Sequence, residues 1–245
     1  RADEINTCIA CNQACLDHVF ENKNASCLVN PRACAETQLN YTPVTHRKKL
    51  AVVGAGPAGL AFATVAAQRG HAVTLFEASD RIGGQFNLAK RIPGKEEFEE
   101  TLRYFGSQLR AHNVDVRLGR RVDAQVLIDE GFDEVVLATG IEPRRIGFPG
   151  AGHPKVCSYV DVLTGRVQVG PRAALVGAGG IGFDVAEFLV QPAPSPSVDP
   201  PRWFAEWGVR PDFEGPGGLA RPHVEAPARQ VWLLPPGGSP ARERF

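Results

Sequence analysis

The sequence predicts an α/β protein, doubly wound around parallel strands, with a second, incomplete nucleotide-binding unit and a Cys-rich segment in front of both. Three observations predict it. Short apolar strands alternate with helices between residues 50 and 190, a spacing that requires helical crossovers between parallel strands. Two G-x-G-x-x-G runs, at 54–59 and 177–182, each stand between a strand and a helix. Four of the six Cys fall within the first 27 residues.

Residues 1–46 hold the Cys cluster and show no regular apolar repeat, so loop and short helix are expected, organised by whatever the Cys hold. Residues 50–53 (Leu-Ala-Val-Val) then form a short buried strand, 58–68 a helix of small residues, and 72–76 a second strand. Gly70 stands where a glycine ends a helix. After a Gly-rich polar stretch, Phe98, Leu102, Phe105 and Leu109 mark a helix over 96–112. Strands follow at 114–118 and 134–138.

The second unit repeats the plan. Its strand is 173–176, and its helix runs through Gly182 to about Val190. Nine prolines between 192 and 227 forbid a long helix or central strand, so 191–228 reads as an insertion loop. Residues 230–234 supply the closing strand. The expected domains are 1–46, 47–168, 169–234 and a divergent tail, 235–245.

With 27 basic and 27 acidic residues the chain is formally neutral, which gives no electrostatic reason to expect nucleic acid or an anionic membrane as partner. No apolar run approaches the roughly 20 residues of a membrane-spanning helix, and the N-terminus lacks the apolar core of a signal peptide. A cytoplasmic protein with small-molecule cofactors is expected. The chain begins at Arg1 and contains no Met, a first indication of a fragment.

In the run Gly54-Ala55-Gly56-Pro57-Ala58-Gly59, Gly54 makes the tight turn, Gly56 lets a pyrophosphate approach the backbone, and Gly59 lets helix and strand pack closely. The helix N-terminus at Ala58 and Gly59 offers N–H groups and the positive dipole end to phosphates. Glu77, 23 residues after Gly54, ends the second strand where a carboxylate accepts from ribose hydroxyls and disfavours a 2′-phosphate. Gly177, Gly179 and Gly182 repeat the pattern for a second dinucleotide.

Cys8, Cys11, Cys15 and Cys27 have the spacing C-x2-C-x3-C-x11-C. Four thiolates suit either a structural zinc or an iron-sulfur cluster. Three close Cys with one remote suit a cubane better than the paired knuckles common at zinc. Cys34 and Cys157 read as ordinary buried thiols.

The first fingerprint, Glu77, the turn Gly83-Gly84-Gln85 and the strand end Ala138-Thr139-Gly140 together resemble the flavoproteins with two dinucleotide-binding domains, in which the first dinucleotide is FAD. That resemblance places Gln85 and Lys95 against the flavin nucleotide and the Val122 backbone at the adenine. The Cys spacing, with Ser26-Cys27-Leu28-Val29-Asn30-Pro31, closely resembles the bacterial-type NADPH-dependent 2,4-dienoyl-CoA reductases; the trimethylamine dehydrogenases, with the second and third Cys one residue closer, resemble it less. The reductase resemblance implies a 4Fe-4S cluster on the four Cys, NADPH at the second fingerprint, and an N-terminal barrel holding FMN and the acyl-CoA. By that resemblance the catalytic acid and the FMN site lie outside these 245 residues, and the chain alone turns over no dienoyl-CoA. Pro235-Pro236-Gly237-Gly238 stands where those reductases place basic residues for the 2′-phosphate, so the second site is expected to be incomplete and the tail truncated or altered.

Overall fold

The structure is a computed structural model that describes residues 1–144, 147–192, 194–212, 214–235 and 242–243. The chain divides into two compact units, Arg1–Asn87 with Glu97–Arg144, and Leu88–Glu96 with Arg145–Phe245. This division gives 88–96 and 145–168 to the second unit, whereas the sequence reading carried the first nucleotide-binding domain through to 168.

In the first unit a 3-10 turn at Ala2–Glu4 and a short helix α1 (Leu16–Phe20) are the only helices before residue 47. Ala14 is the sole residue there reaching core burial. With so little apolar surface to bury, this stretch is held by polar ties. Arg103 Nη2 donates to the Ile5 carbonyl at 2.9 Å and Ser107 Oγ to Asp3 Oδ2 at 3.2 Å.

Strand β1 (Lys49–Val53) opens the sheet and is followed by helix α2 (Pro57–Gln68) and strand β2 (Ala72–Phe76). Proline heads α2 because the first helical position needs no N–H and favours its fixed φ. Arg69 and Gly70, the latter at φ +104°, end it. After α3 (Phe86–Ala89) come α4 (Phe98–Ala111), β3 (Asp115–Arg117), α5 (Ala124–Asp129) and β4 (Glu134–Leu137). The four strands run parallel in the order β3-β2-β1-β4. Leu50 and Val52 of β1, Leu60, Ala63 and Ala66 of α2, Leu75 of β2, and Leu102 and Leu109 of α4 form one core. Each fully buried Leu or Val there contributes about 1.5–3 kcal/mol.

The second unit contains α6 (Tyr159–Leu163), β5 (Arg172–Val176), α7 (Gly180–Val190), α8 (Pro200–Trp207), β6 (Gln230–Leu234) and β7 (Arg242–Glu243). Strands β5 and β6 pair in parallel and β7 adds antiparallel. Val185, Ala186 and Leu189 of α7 pack with Val231 and Leu233 of β6 and with Val162 and Leu163 of α6. The architecture is Rossmann-like, as the sequence predicts.

The Pro-rich stretch is not a bare loop. It carries α8, eight residues long, because Pro200 and Pro201 fall in the first turn, where proline is tolerated, and Asp199 caps them by accepting from Arg202 N at 3.3 Å. Gly208, left-handed at φ 65°, ends it. Among the described residues no helix is long and apolar enough to cross a membrane.

Candidate functional site

The turn from β1 into α2 gives its three glycines three different jobs. Gly54 has φ +108°, and a Cβ on it would lie 2.3 Å from the Ala138 carbonyl oxygen. Its N–H donates to the Phe76 carbonyl at 2.8 Å, which ties the turn to the end of β2. A Cβ on Gly59 would lie 1.9 Å from the Gly54 carbonyl oxygen and 3.3 Å from Ala138 Cβ. Both positions exclude side chains for packing reasons. Gly56 does not: its backbone is extended, at φ −74° and ψ 179°, and among the described residues nothing lies within 4 Å of where its Cβ would stand. That open space lies over the first turn of a twelve-residue helix, with Ala58 exposed beside it.

Glu77 follows β2 directly. Its Oε2 accepts from Ala55 N at 2.8 Å, and its Oε1 accepts from Ser79 N at 2.8 Å and Ser79 Oγ at 2.9 Å. Partial burial pushes the carboxyl pKa up, but the Ser79 and Ala55 hydrogen bonds outweigh it and hold the group below the ordinary glutamate value. The carboxylate is therefore ionised near neutrality. The Ala78 backbone N–H adds to the same effect, and the half-buried side chain stays in partial contact with solvent. The turn after β3 closes beside it: Arg120 N donates to the Glu77 carbonyl at 2.8 Å and Gly119 N to the Ser79 carbonyl at 2.7 Å. Val122, half-buried, comes two residues later.

The Gly-Gly-Gln turn lies against the same loop. Gly83 N donates to the Ala55 carbonyl at 2.7 Å, and a Cβ on Gly84 would stand 3.0 Å from Gly56 Cα. Gln85 Nε2 donates to the Ile141 carbonyl at 3.2 Å, just beyond the Ala138-Thr139-Gly140 strand end. Gly54, Gly56, Ala58, Gly59, Glu77 and Gln85 are thus brought onto one connected set of loops. Lys95 belongs to the second unit, where its Nζ donates to both Asp184 carboxylate oxygens at 2.7 Å. Sequence reading missed Asp184 because 89 residues separate the pair. It also passed over Ser79, whose signal was a hydroxyl two residues after an acidic strand end.

The second fingerprint repeats the backbone. Gly177 has φ +119° and donates from N to the Leu234 carbonyl at 2.9 Å; a Cβ on Gly182 would lie 2.2 Å from the Gly177 carbonyl oxygen; and Gly179 has open space where a Cβ would be.

In the Cys segment all four thiols are free, with Cys8 and Cys15 exposed and Cys11 and Cys27 half-buried. Among the described residues no three His, Cys, Asp or Glu side chains gather into a metal-holding group, so the four thiols do not form a cage as placed. The backbone nevertheless draws their segments together. Asn6 Nδ2 donates to the Val29 carbonyl at 2.7 Å, and Ser26 N to the Ala14 carbonyl at 2.6 Å. Ala10 N donates to Cys8 Sγ at 3.3 Å, and Ala10 and Asn12 take left-handed φ values of 53° and 55°. Asn6 Oδ1 and Thr7 Oγ1 are buried without a partner. Donor chemistry and orphaned polar atoms fit a thiolate-held centre; side-chain placement does not assemble one. Cys34 and Cys157, expected to be buried, are exposed, because each lies in a turn or loop with no core beneath it.

Residues 48–193, more than half of the chain, match the family described as pyridine nucleotide-disulphide oxidoreductase. The metal reductase of Desulforamulus reducens is 41% identical over 193 residues, covering 77% of this chain and 29% of the relative. The cinnamate reductase of Clostridium sporogenes is 32% identical over 194 residues, covering 77% and 28%. A solved structure of 2-naphthoyl-CoA reductase with 2-naphthoyl-CoA superposes with a TM-score of 0.73 at 37% identity, covering 77% of this chain and 29% of that one. The chain spans less than a third of the length of these relatives.

Proposed function

Because the chain belongs to the pyridine nucleotide-disulphide oxidoreductase family, a family of FAD and NAD(P) domains, we propose that it is the electron-input part of a longer iron-sulfur flavoprotein. The observation that carries the reading is the open space over Gly56 between two glycines that packing alone explains.

FAD, when bound, supplies a two-electron acceptor for hydride from a reduced nicotinamide and a donor of single electrons onward. This chain's residues position it. Gly56 admits the pyrophosphate, and the first-turn N–H groups of α2, including Ala58 and Gly59, meet its charge. The half-buried Glu77 carboxylate takes a ribose hydroxyl, with Ser79 and Ala55 holding it ionised and oriented. Gln85, fixed at Ile141, faces the flavin nucleotide, and the Val122 backbone meets the adenine. Lys95, placed at the flavin by resemblance, is engaged by Asp184.

Cys8, Cys11, Cys15 and Cys27 would hold a 4Fe-4S cluster, the one-electron relay toward FMN on another part of the longer protein. The substrate class is a conjugated acyl compound such as a 2,4-dienoyl-CoA. Support comes from the relatives' own names, since cinnamate and 2-naphthoyl-CoA are both conjugated acyl compounds.

Cofactor content tests the reading. Protein purified anaerobically and reconstituted with iron and sulfide is expected to hold one FAD per chain and a cluster whose visible absorbance Cys11→Ser removes while FAD remains. Stoichiometric zinc without iron or sulfide would overturn the cluster, and failure to retain FAD would overturn the flavin site.

A further inference from the structure

We infer that Pro235 sets the nucleotide preference of the second fingerprint, and that it makes this site indifferent between NAD and NADP. The inference rests on the reading of the second unit as a nicotinamide nucleotide site and departs from the NADPH selectivity that the resemblance implies.

The two units superimpose residue by residue in their hydrogen bonding. In the first, β1 pairs with β2 from Lys49↔Ala72 to Val53↔Phe76, and Gly54 N then donates to the Phe76 carbonyl. In the second, β5 pairs with β6 from Arg172↔Gln230 to Val176↔Leu234, and Gly177 N then donates to the Leu234 carbonyl. The residue after Phe76 is Glu77; the residue after Leu234 is Pro235. Pro235 therefore occupies the position from which a dinucleotide fold reads the adenosine ribose, where a carboxylate selects the free 2′-hydroxyl and an Arg accommodates a 2′-phosphate.

Proline can do neither. It has no acceptor for the 2′-hydroxyl and no cation for the phosphate, and it has no carboxylate to take up the Ala178 N–H as Glu77 takes up that of Ala55. The pyrophosphate features persist, because Gly179 stays open and Gly182 packs against Gly177. With a neutral ring at the ribose position, Pro235 supplies none of the interactions that distinguish the two nucleotides, while the pyrophosphate features supply those they share.

Isothermal titration calorimetry of the full chain, saturated with FAD to occupy the first fingerprint, measures NAD+ and NADP+ binding separately. Dissociation constants within about threefold of each other are expected. Pro235→Glu should favour NAD+ and Pro235→Arg should favour NADP+, each by about tenfold, the weight of one charge-assisted hydrogen bond. Gly179→Leu, an extended position with open space, should remove the heat without unfolding the chain and so assign it to this unit. Wild-type discrimination beyond tenfold, or no shift in the Pro235 variants, overturns the inference and leaves the second unit a nucleotide site. No heat from either nucleotide, or heat that survives Gly179→Leu, overturns that reading of the unit and the inference together.

Discussion

The two fingerprints share a backbone and differ in their surroundings. Both begin with a glycine in the left-handed half of conformational space, at φ +108° and +119°, and both exclude a side chain from the third glycine, at 1.9 and 2.2 Å from a carbonyl oxygen. Behind Gly54, however, stands the Ala138 carbonyl at the end of β4, while among the described residues no atom comes within 4 Å of the corresponding Cβ position on Gly177. Around the first turn lie Glu77, Ser79 and the Gly-Gly-Gln turn; after the second, the chain offers Pro235. Glycine spacing therefore specifies the loop, and the neighbouring residues specify what the loop can hold.

The largest expected effect falls on the feature the two share. Gly59→Ala and Gly182→Ala each drive a methyl into backbone, so each should lower stability by about 3 kcal/mol or more, read as a lower thermal or denaturant midpoint. Equal losses sharpen the comparison. A harmless Gly182→Ala beside a damaging Gly59→Ala would break it, showing that the second turn is looser than its geometry.

A smaller effect separates the units. Glu77→Gln keeps the shape but removes the charge, and FAD should bind about tenfold or more weaker, as measured by flavin fluorescence quenching. Because the Glu77 carboxyl titrates below its ordinary 4.5, its contribution to stability is fully present above that pH and is lost as pH falls through the lower folded value. The acid limb of the stability profile should accordingly be shallower in the variant. An unchanged acid limb together with unchanged FAD affinity would show that the hydrogen bonds from Ser79 and Ala55 do not orient a working carboxylate.

The smallest effect is expected at Lys95. Its ion pair with Asp184 is more than a third exposed on both sides, so Lys95→Ala should change stability by about 1 kcal/mol or less. If the same variant weakened FAD binding tenfold, Lys95 would be serving the first fingerprint rather than the second unit.

Much of this was legible in the sequence, for identifiable reasons. The runs 72–76 and 230–234 are strands to the residue, because apolar β-branched residues there are bounded by Gly, Pro or charge. The glycine roles were legible because each follows from the missing Cβ. Helix α8 was not: proline count hid the fact that two prolines after a capping Asp begin a helix rather than prevent one. The Lys95–Asp184 pair was not legible because its partners are distant in sequence, nor was the exposure of Cys34 and Cys157, because a residue's average burial says nothing where no core exists. The Cys spacing points to four thiolate donors, while the segment has too few apolar contacts to bring their side chains together by packing.

The most direct measurement compares FAD binding to the wild-type chain and to Gly56→Leu, with thermal melting of both. A Cβ at that position has no atom of the described residues within 4 Å and the backbone is ordinary, so the melt should be little changed, while the leucine side chain fills the space a pyrophosphate needs. FAD affinity is then predicted to fall by about a hundredfold or more. A stable Gly56→Leu protein that binds FAD as tightly as the wild type would contradict the assignment of this loop as the flavin-nucleotide site.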